Sequence, residues 1–139
     1  MLNPLILTDT ACLYQSLFEA VAGTPSTFGA DPRHHLGGQL GFLTILHTWG
    51  QQLRFHVHLH GVVPDGALDV DGGRWVSARP TILFPVRALS RAFCRRFLTR
   101  LETASQQQRL VFPVSLASVE APTACQAWVG TLRRQAWVV

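Results

Sequence analysis

Residues 54–63, RFHVHLHGVV, constrain the fold more than any other stretch of this 139-residue chain. They open with strict alternation: Phe55, Val57 and Leu59 on one face, His56, His58 and His60 on the other. That two-residue period belongs to a β-strand. Pro64 ends it, because proline has no N–H to give to a ladder. Just upstream, residues 40–48 (LGFLTILHT) are rich in β-branched and large apolar types, and Gly50, Gln51 and Gln52 supply a polar turn. Two apolar strands across a short turn predict an antiparallel hairpin, buried at least on its Phe55 side.

On the strand, side chains at i and i+2 point the same way with Cα atoms about 6–7 Å apart. Two imidazoles so placed can converge on one metal at about 2.0–2.1 Å. The outer pair, His56 and His60, is about 13 Å apart at the backbone, too far for all three to ligate easily. A single strand therefore offers two ligands. The hairpin turn folds His47 back beside His58 and His60, which makes it the candidate third ligand. His56 is read as supporting the site or facing a nucleic acid, and His34 and His35 receive no role. A row of hydrogen-bonded histidines without metal is the plainer alternative.

Helices are expected on either side of the strands. Asp9 is a candidate N-cap for a helix running to Ala22 and stopped by Gly23, with Leu13, Leu17 and Val21 as its apolar stripe. Gly23, Pro25, Gly29 and Pro32 then suggest a loop. Residues 64–76 read as a turn-rich excursion, with Trp75 returning to the core, and 81–84 as a short strand. The clearest helix begins near Pro85, with Val86, Leu89, Phe93, Phe97 and Leu101 on one face. A polar break at Ser105–Gln108 leads to a possible strand, Leu110–Val114, and a last helix spans about Pro122–Arg134. Ala136 to Val139 read as the start of another strand.

Arg87, Arg91 and Arg95 repeat at i, i+4, i+8 on the flank of the helix opposite its apolar face, with Arg96 and Arg100 beside them. Like charges at that spacing repel by a few tenths of a kcal/mol per pair. A phosphate backbone would offset the repulsion and add counterion release. Contacts of this kind position DNA rather than read bases; a solvated helix face is the alternative. The chain has no lysine, so its excess of 12 basic over 8 acidic residues is carried by arginine alone. Arginine suits phosphate, although coding bias also replaces lysine. Cys12, Cys94 and Cys125 are far apart and form no CxxC, which suggests neither a zinc ribbon nor a disulfide frame and favours reduced thiols in a cytoplasmic protein. No apolar stretch approaches the roughly 18 residues that span a membrane.

Five blocks, LHTWGQ (46–51), HVHLHGVVP (56–64), LDVDGGRWV (68–76), LFPVRALSRAF (83–93) and the closing WVV, resemble the rolling-circle insertion-sequence transposases, the two-tyrosine group of the HUH nucleases. LNPL (2–5) and LYQSLFEA (13–20) extend the resemblance towards the N-terminus. It implies an α+β, ferredoxin-like domain with an antiparallel sheet. His58 and His60 match the histidine pair of that family, with Leu59 between them. A divalent metal, Mg2+ or Mn2+, is implied at the pair to polarise the scissile phosphate of single-stranded DNA. A tyrosine on a later helix is implied to attack and form a 5′-phosphotyrosine link. The spacing of His47 also resembles the three-histidine sites of conjugative relaxases.

The departures from that pattern shape the expected activity. Relatives usually have proline where this chain has Val57. The family's N-terminal zinc-binding segment and its tyrosine-bearing segment after WVV have no counterpart, so the domain is expected to be C-terminally incomplete. Tyr14, the sole tyrosine, precedes the histidine strand on a helix whose apolar stripe it joins. The expected function is that of a transposase fragment that binds metal and single-stranded DNA without cleaving it alone, with no catalytic residue assigned. A non-catalytic DNA-binding module, partnering a full-length transposase, and a decayed reading frame are the competing readings.

Overall fold

A computed structural model describes residues 2–31, 33, 36–52, 54–79 and 83–137. In chain order these form α1 (Asn3–Thr8), α2 (Thr10–Ala30), β1 (Leu43–Trp49), β2 (Phe55–Val62), β3 (Gly66–Leu68), β4 (Trp75–Ser77), α3 (Val86–Gln106), a 3-10 helix (Val114–Val119) and α4 (Pro122–Arg133). The fold is α+β, as the sequence leads one to expect. It divides into two compact units, Met1–Ala22 with Val86–Val139, and Gly23–Pro85. No helix among the described residues is long and apolar enough to cross a membrane.

In the first unit one carboxylate organises three segments. Asp9 leaves the helical region (φ −128°, ψ 67°) and so terminates α1. Its Oδ1 accepts the Cys12 N–H at 3.2 Å, capping α2 as expected. Its Oδ2 accepts the Val111 N–H at 3.0 Å. That last bond explains why Leu110–Val114 is not a strand. The Val111 donor is taken by a side chain and Pro113 has none, so no ladder can form. Leu110 is buried, while Val114 points outward and opens the 3-10 helix instead.

α2 does not stop at Gly23; it continues through Gly23 and Pro25 to Ala30. The buried positions Leu13, Ser16, Ala20 and Thr24 run at helical spacing through the expected break. Phe28 lies edge-on to Phe84, with centroids 5.6 Å apart. Packing of this continuous stripe outweighs the local penalties of one glycine and one proline.

α3 and α4 pack through Cys94, Phe97, Leu98, Leu101 and Ala104 on one side and Cys125, Val129 and Leu132 on the other. The expected α3 stripe is therefore right only in its second half. Phe97 and Leu101 are buried, Leu89 and Phe93 are half-buried, and Val86 is 56% exposed. The polar break ends the helix in a Schellman motif. Gln108 takes φ 53°, and the Arg109 and Gln108 N–H groups reach back to the carbonyls of Ala104 and Ser105. Arg133 pairs with Glu102 at 2.7 Å and Arg100 pairs with Glu19. Ala136 and Trp137 form no strand; the Trp137 indole N–H donates to the Leu132 carbonyl and closes the end of α4. Val138 and Val139 lie outside the described residues.

The second unit holds two antiparallel hairpins, β1–β2 and β3–β4. The turn of the first falls at Gln51–Gln52, as expected, and is closed by the Gly50 N–H on the Arg54 carbonyl at 2.9 Å. In the second, Asp69 accepts the Gly73 N–H at 3.0 Å, and Gly72 supplies φ 67°. Trp75 does not return to the core. It is 47% exposed, and its ring lies flat enough on Gly66 that a β-carbon there would meet it at 2.6 Å. Gln39 bridges to Leu68, an approach that leaves Gly38 no room for a side chain: a β-carbon would sit 2.1 Å from the Leu68 oxygen. Of the expected strand at 81–84, Thr81 and Ile82 lie outside the described residues, and Leu83 and Phe84 form a bend.

Replacing Asp9 by alanine removes a helix cap and a tie to the segment after α3. The expected loss is about 1–3 kcal/mol of unfolding free energy in urea titrations. A change below about 0.5 kcal/mol, the range of an ordinary surface substitution, would contradict the account.

Candidate metal centre

Pairing in the β1–β2 hairpin decides which side chains share a face. His47 lies directly opposite His58, Ile45 opposite His60, and Leu43 opposite Val62. All three of His47, His58 and His60 thus stand on one face, with the exposed side chains of Leu43, Ile45 and Val62 beside them. The opposite face, with Thr44, Leu46, Val57 and Leu59, is half-buried rather than sealed. Between His47 and Trp49 the register shifts, so that Trp49 faces Phe55. Their rings meet edge to face at 6.1 Å. Simple alternation puts Phe55 on the face away from the histidines; the bulge brings it to Trp49 instead.

The three imidazoles converge. Ring centroids lie 4.4 Å apart for His47 and His60, 5.0 Å for His58 and His60, and 5.3 Å for His47 and His58. One ligand nitrogen from each lies within 4.8 Å of the other two. Ligands at about 2.1 Å around one ion sit about 3.4 Å apart, a gap that side-chain rotation of exposed rings can close. His58 is already oriented. Its Nδ1 donates to the His56 carbonyl at 2.9 Å, which leaves Nε2 as the ring nitrogen available to a ligand. The His56 ring lies tilted beside His58, with centroids 4.9 Å apart, but does not belong to the trio. Three imidazole nitrogens on an open face suit a divalent transition ion and leave positions for oxygen ligands.

The arginines fall as their spacing requires. Arg87, Arg91 and Arg95 line one flank of α3, in the helical unit, and among the described residues none forms an ion pair. The histidines belong to the other unit, the one that holds the hairpins. Two residues of that flank escaped the sequence reading: Arg133, at the end of α4, and Trp137, taken for a strand residue. The signal for Arg133 was present. It follows the buried stripe Cys125, Val129, Leu132 by one position and so stays near α3. His34 and His35 lie outside the described residues.

Nucleophiles are scarce. Tyr14 is half-buried within α2. Burial pushes the Cys12 thiol up, reinforced by the Asp9 carboxylate and opposed by Arg109 and a hydrogen bond from Ser16. Burial also pushes up Cys94, against the opposing charge of Arg133. Both thiols therefore stay protonated at neutral pH and are poor nucleophiles.

The hairpin of this α+β chain thus gathers three histidines in an arrangement that could hold a metal ion. Comparison narrows the class. Residues 41–139 match the family model described as "Putative transposase". The chain is also 45% identical over 131 residues to a Sinorhizobium fredii protein named "Putative transposase y4qJ". That match covers 94% of this chain and 33% of the relative, so the chain spans about a third of the relative's length. No solved structure matches. The chain belongs to this transposase family.

Alanine at His47, His58 or His60 is expected to weaken Mn2+ or Co2+ binding at least tenfold in calorimetric titrations. Alanine at His56 should leave it within about threefold, because the carbonyl rather than the ring orients His58. Equal losses at all four positions would contradict this assignment.

Proposed function

We propose that this chain binds single-stranded DNA and presents a phosphodiester to a divalent cation held by His47, His58 and His60, within the nicking and strand transfer of an HUH-type rolling-circle transposase. The observation that carries the reading is the convergence of three imidazoles on one hairpin face in a transposase-family chain. When bound, the cation supplies Lewis acidity at a non-bridging phosphate oxygen. The chain supplies the rest. The His56 carbonyl fixes the tautomer of His58, and the exposure of the face admits a strand. Arg87, Arg91 and Arg95 hold phosphates without reading bases. Imidazole donors favour Mn2+ over Mg2+, which prefers oxygen ligands.

The reading assigns no nucleophile to these 139 residues. Tyr14 sits half-buried in α2, and the Cys12 and Cys94 thiols are held protonated. A full-length transposase is the partner that would contribute an attacking tyrosine. A second reading, a DNA-binding module without metal chemistry, is favoured by the three arginines, which make no ion pair among the described residues.

Titration of labelled oligothymidylate separates the two. Mn2+ is expected to tighten binding about tenfold, an increment of about 1.4 kcal/mol. Alanine at His58 and His60 should abolish that increment and leave the salt-dependent part intact. No covalent adduct should form. Indifference to both Mn2+ and the histidines would favour the metal-free module, and an adduct at Tyr14 would overturn the assignment of the nucleophile.

A further inference from the structure

The helical unit contains a cleft of about 770 Å3 bordered by α3, the end of α4 and Trp137. Small-ligand sites have volumes of this order. Four arginines line it: Arg87, Arg91 and Arg95 from α3, and Arg133 from α4. Among the described residues that line it there is no carboxylate. The first three rise along the helix by about 6 Å per step, a separation comparable to that of successive phosphates along an extended strand. Arg133 is steadied from behind by Glu102 at 2.7 Å. Concentrating this much positive charge in a concave space is unfavourable unless an anion fills it.

One wall is aromatic. Trp137 is anchored by its N–H on the Leu132 carbonyl, and its ring packs near Phe93 and Phe97, with centroids 6.0 and 5.9 Å away. A half-buried indole held at one edge loses little freedom when a flat ring settles against it. Ser90 and Thr99 add hydroxyls to the lining, and Cys94 lies buried against it. Fixed cations beside a rigid aromatic surface are the elements that hold single-stranded nucleic acid, with phosphates on the former and a base on the latter.

We propose that this cleft seats a nucleotide of a single DNA strand, its phosphates on Arg87, Arg91, Arg95 and Arg133 and its base against Trp137. The site is concave and takes an unstacked base, which a duplex does not offer. The inference rests on the DNA-binding reading above but not on its metal centre, because every described residue that lines the cleft belongs to the helical unit.

The test uses the whole chain in EDTA, with oligothymidylate and an oligomer of equal length carrying abasic sites as probes. Wild type should bind the abasic oligomer about tenfold more weakly, the size of a base–aromatic stack. Trp137→Leu should bind both oligomers equally, and Trp137→Phe should restore part of the preference. Arg91→Gln and Arg95→Gln should each weaken binding and flatten the salt dependence by about 0.7 in slope. Thermal melts identify any variant that fails to fold, and the arginine pair then carries the test. Retained base preference in Trp137→Leu, or unchanged salt slopes in both arginine variants, would overturn the cleft assignment. Binding that persists with those outcomes leaves the DNA reading standing; absence of any strand binding removes both.

Discussion

The site depends on the register of a single hairpin. Side chains alternate across a strand, so a slip of one residue between β1 and β2 would carry His47 to the far face and leave His58 and His60 without their partner. Two features hold the register. The Gly50 N–H closes the turn on the Arg54 carbonyl, and the half-buried row of Leu46, Val57 and Leu59 opposes any flip. The bulge near the turn absorbs one residue of mismatch, so the strands pair in step from His47 to Leu43. Trp49 and Phe55, brought together by that bulge, brace the turn end of the histidine face.

The two units divide the chemistry. The hairpin unit offers imidazole nitrogen donors on an open face, suited to a cation. The helical unit offers fixed positive charge and an aromatic wall, suited to phosphate and base. In the reading proposed above both address one substrate, a single DNA strand, through different parts of it. The structural roots of the two are independent. The hairpin site follows from strand pairing, whereas the arginine flank follows from the packing of α3 on α4 and from the Trp137 anchor.

Local signals were legible wherever the chain's own periodicity decides the outcome. The alternation at 54–63 revealed β2, the hairpin and the histidine trio, because a two-residue period leaves one arrangement for His58, His60 and a folded-back His47. The Asp9 cap and the limits of α4 were equally plain. Where distant contacts decide, the sequence misled. Gly23 and Pro25 look like breakers, yet the buried stripe through Thr24 keeps α2 going. Leu110–Val114 has strand composition, but its donor at Val111 is captured by Asp9 from far away in sequence. The Phe55 side of the hairpin followed strict alternation on paper, and a bulge, invisible in composition, moved that residue to Trp49. Arg133 and Trp137 reached the α3 flank through tertiary packing, which no window of sequence displays.

The central claim is that His47, His58 and His60 bind one cation together. X-ray absorption at the manganese edge of the Mn2+-loaded chain counts imidazole ligands directly through their multiple scattering. The account requires all three histidines on a single ion in the wild-type chain and the loss of one imidazole in His47→Ala. A spectrum dominated by oxygen ligands, or an imidazole count unchanged by His47→Ala, would contradict it.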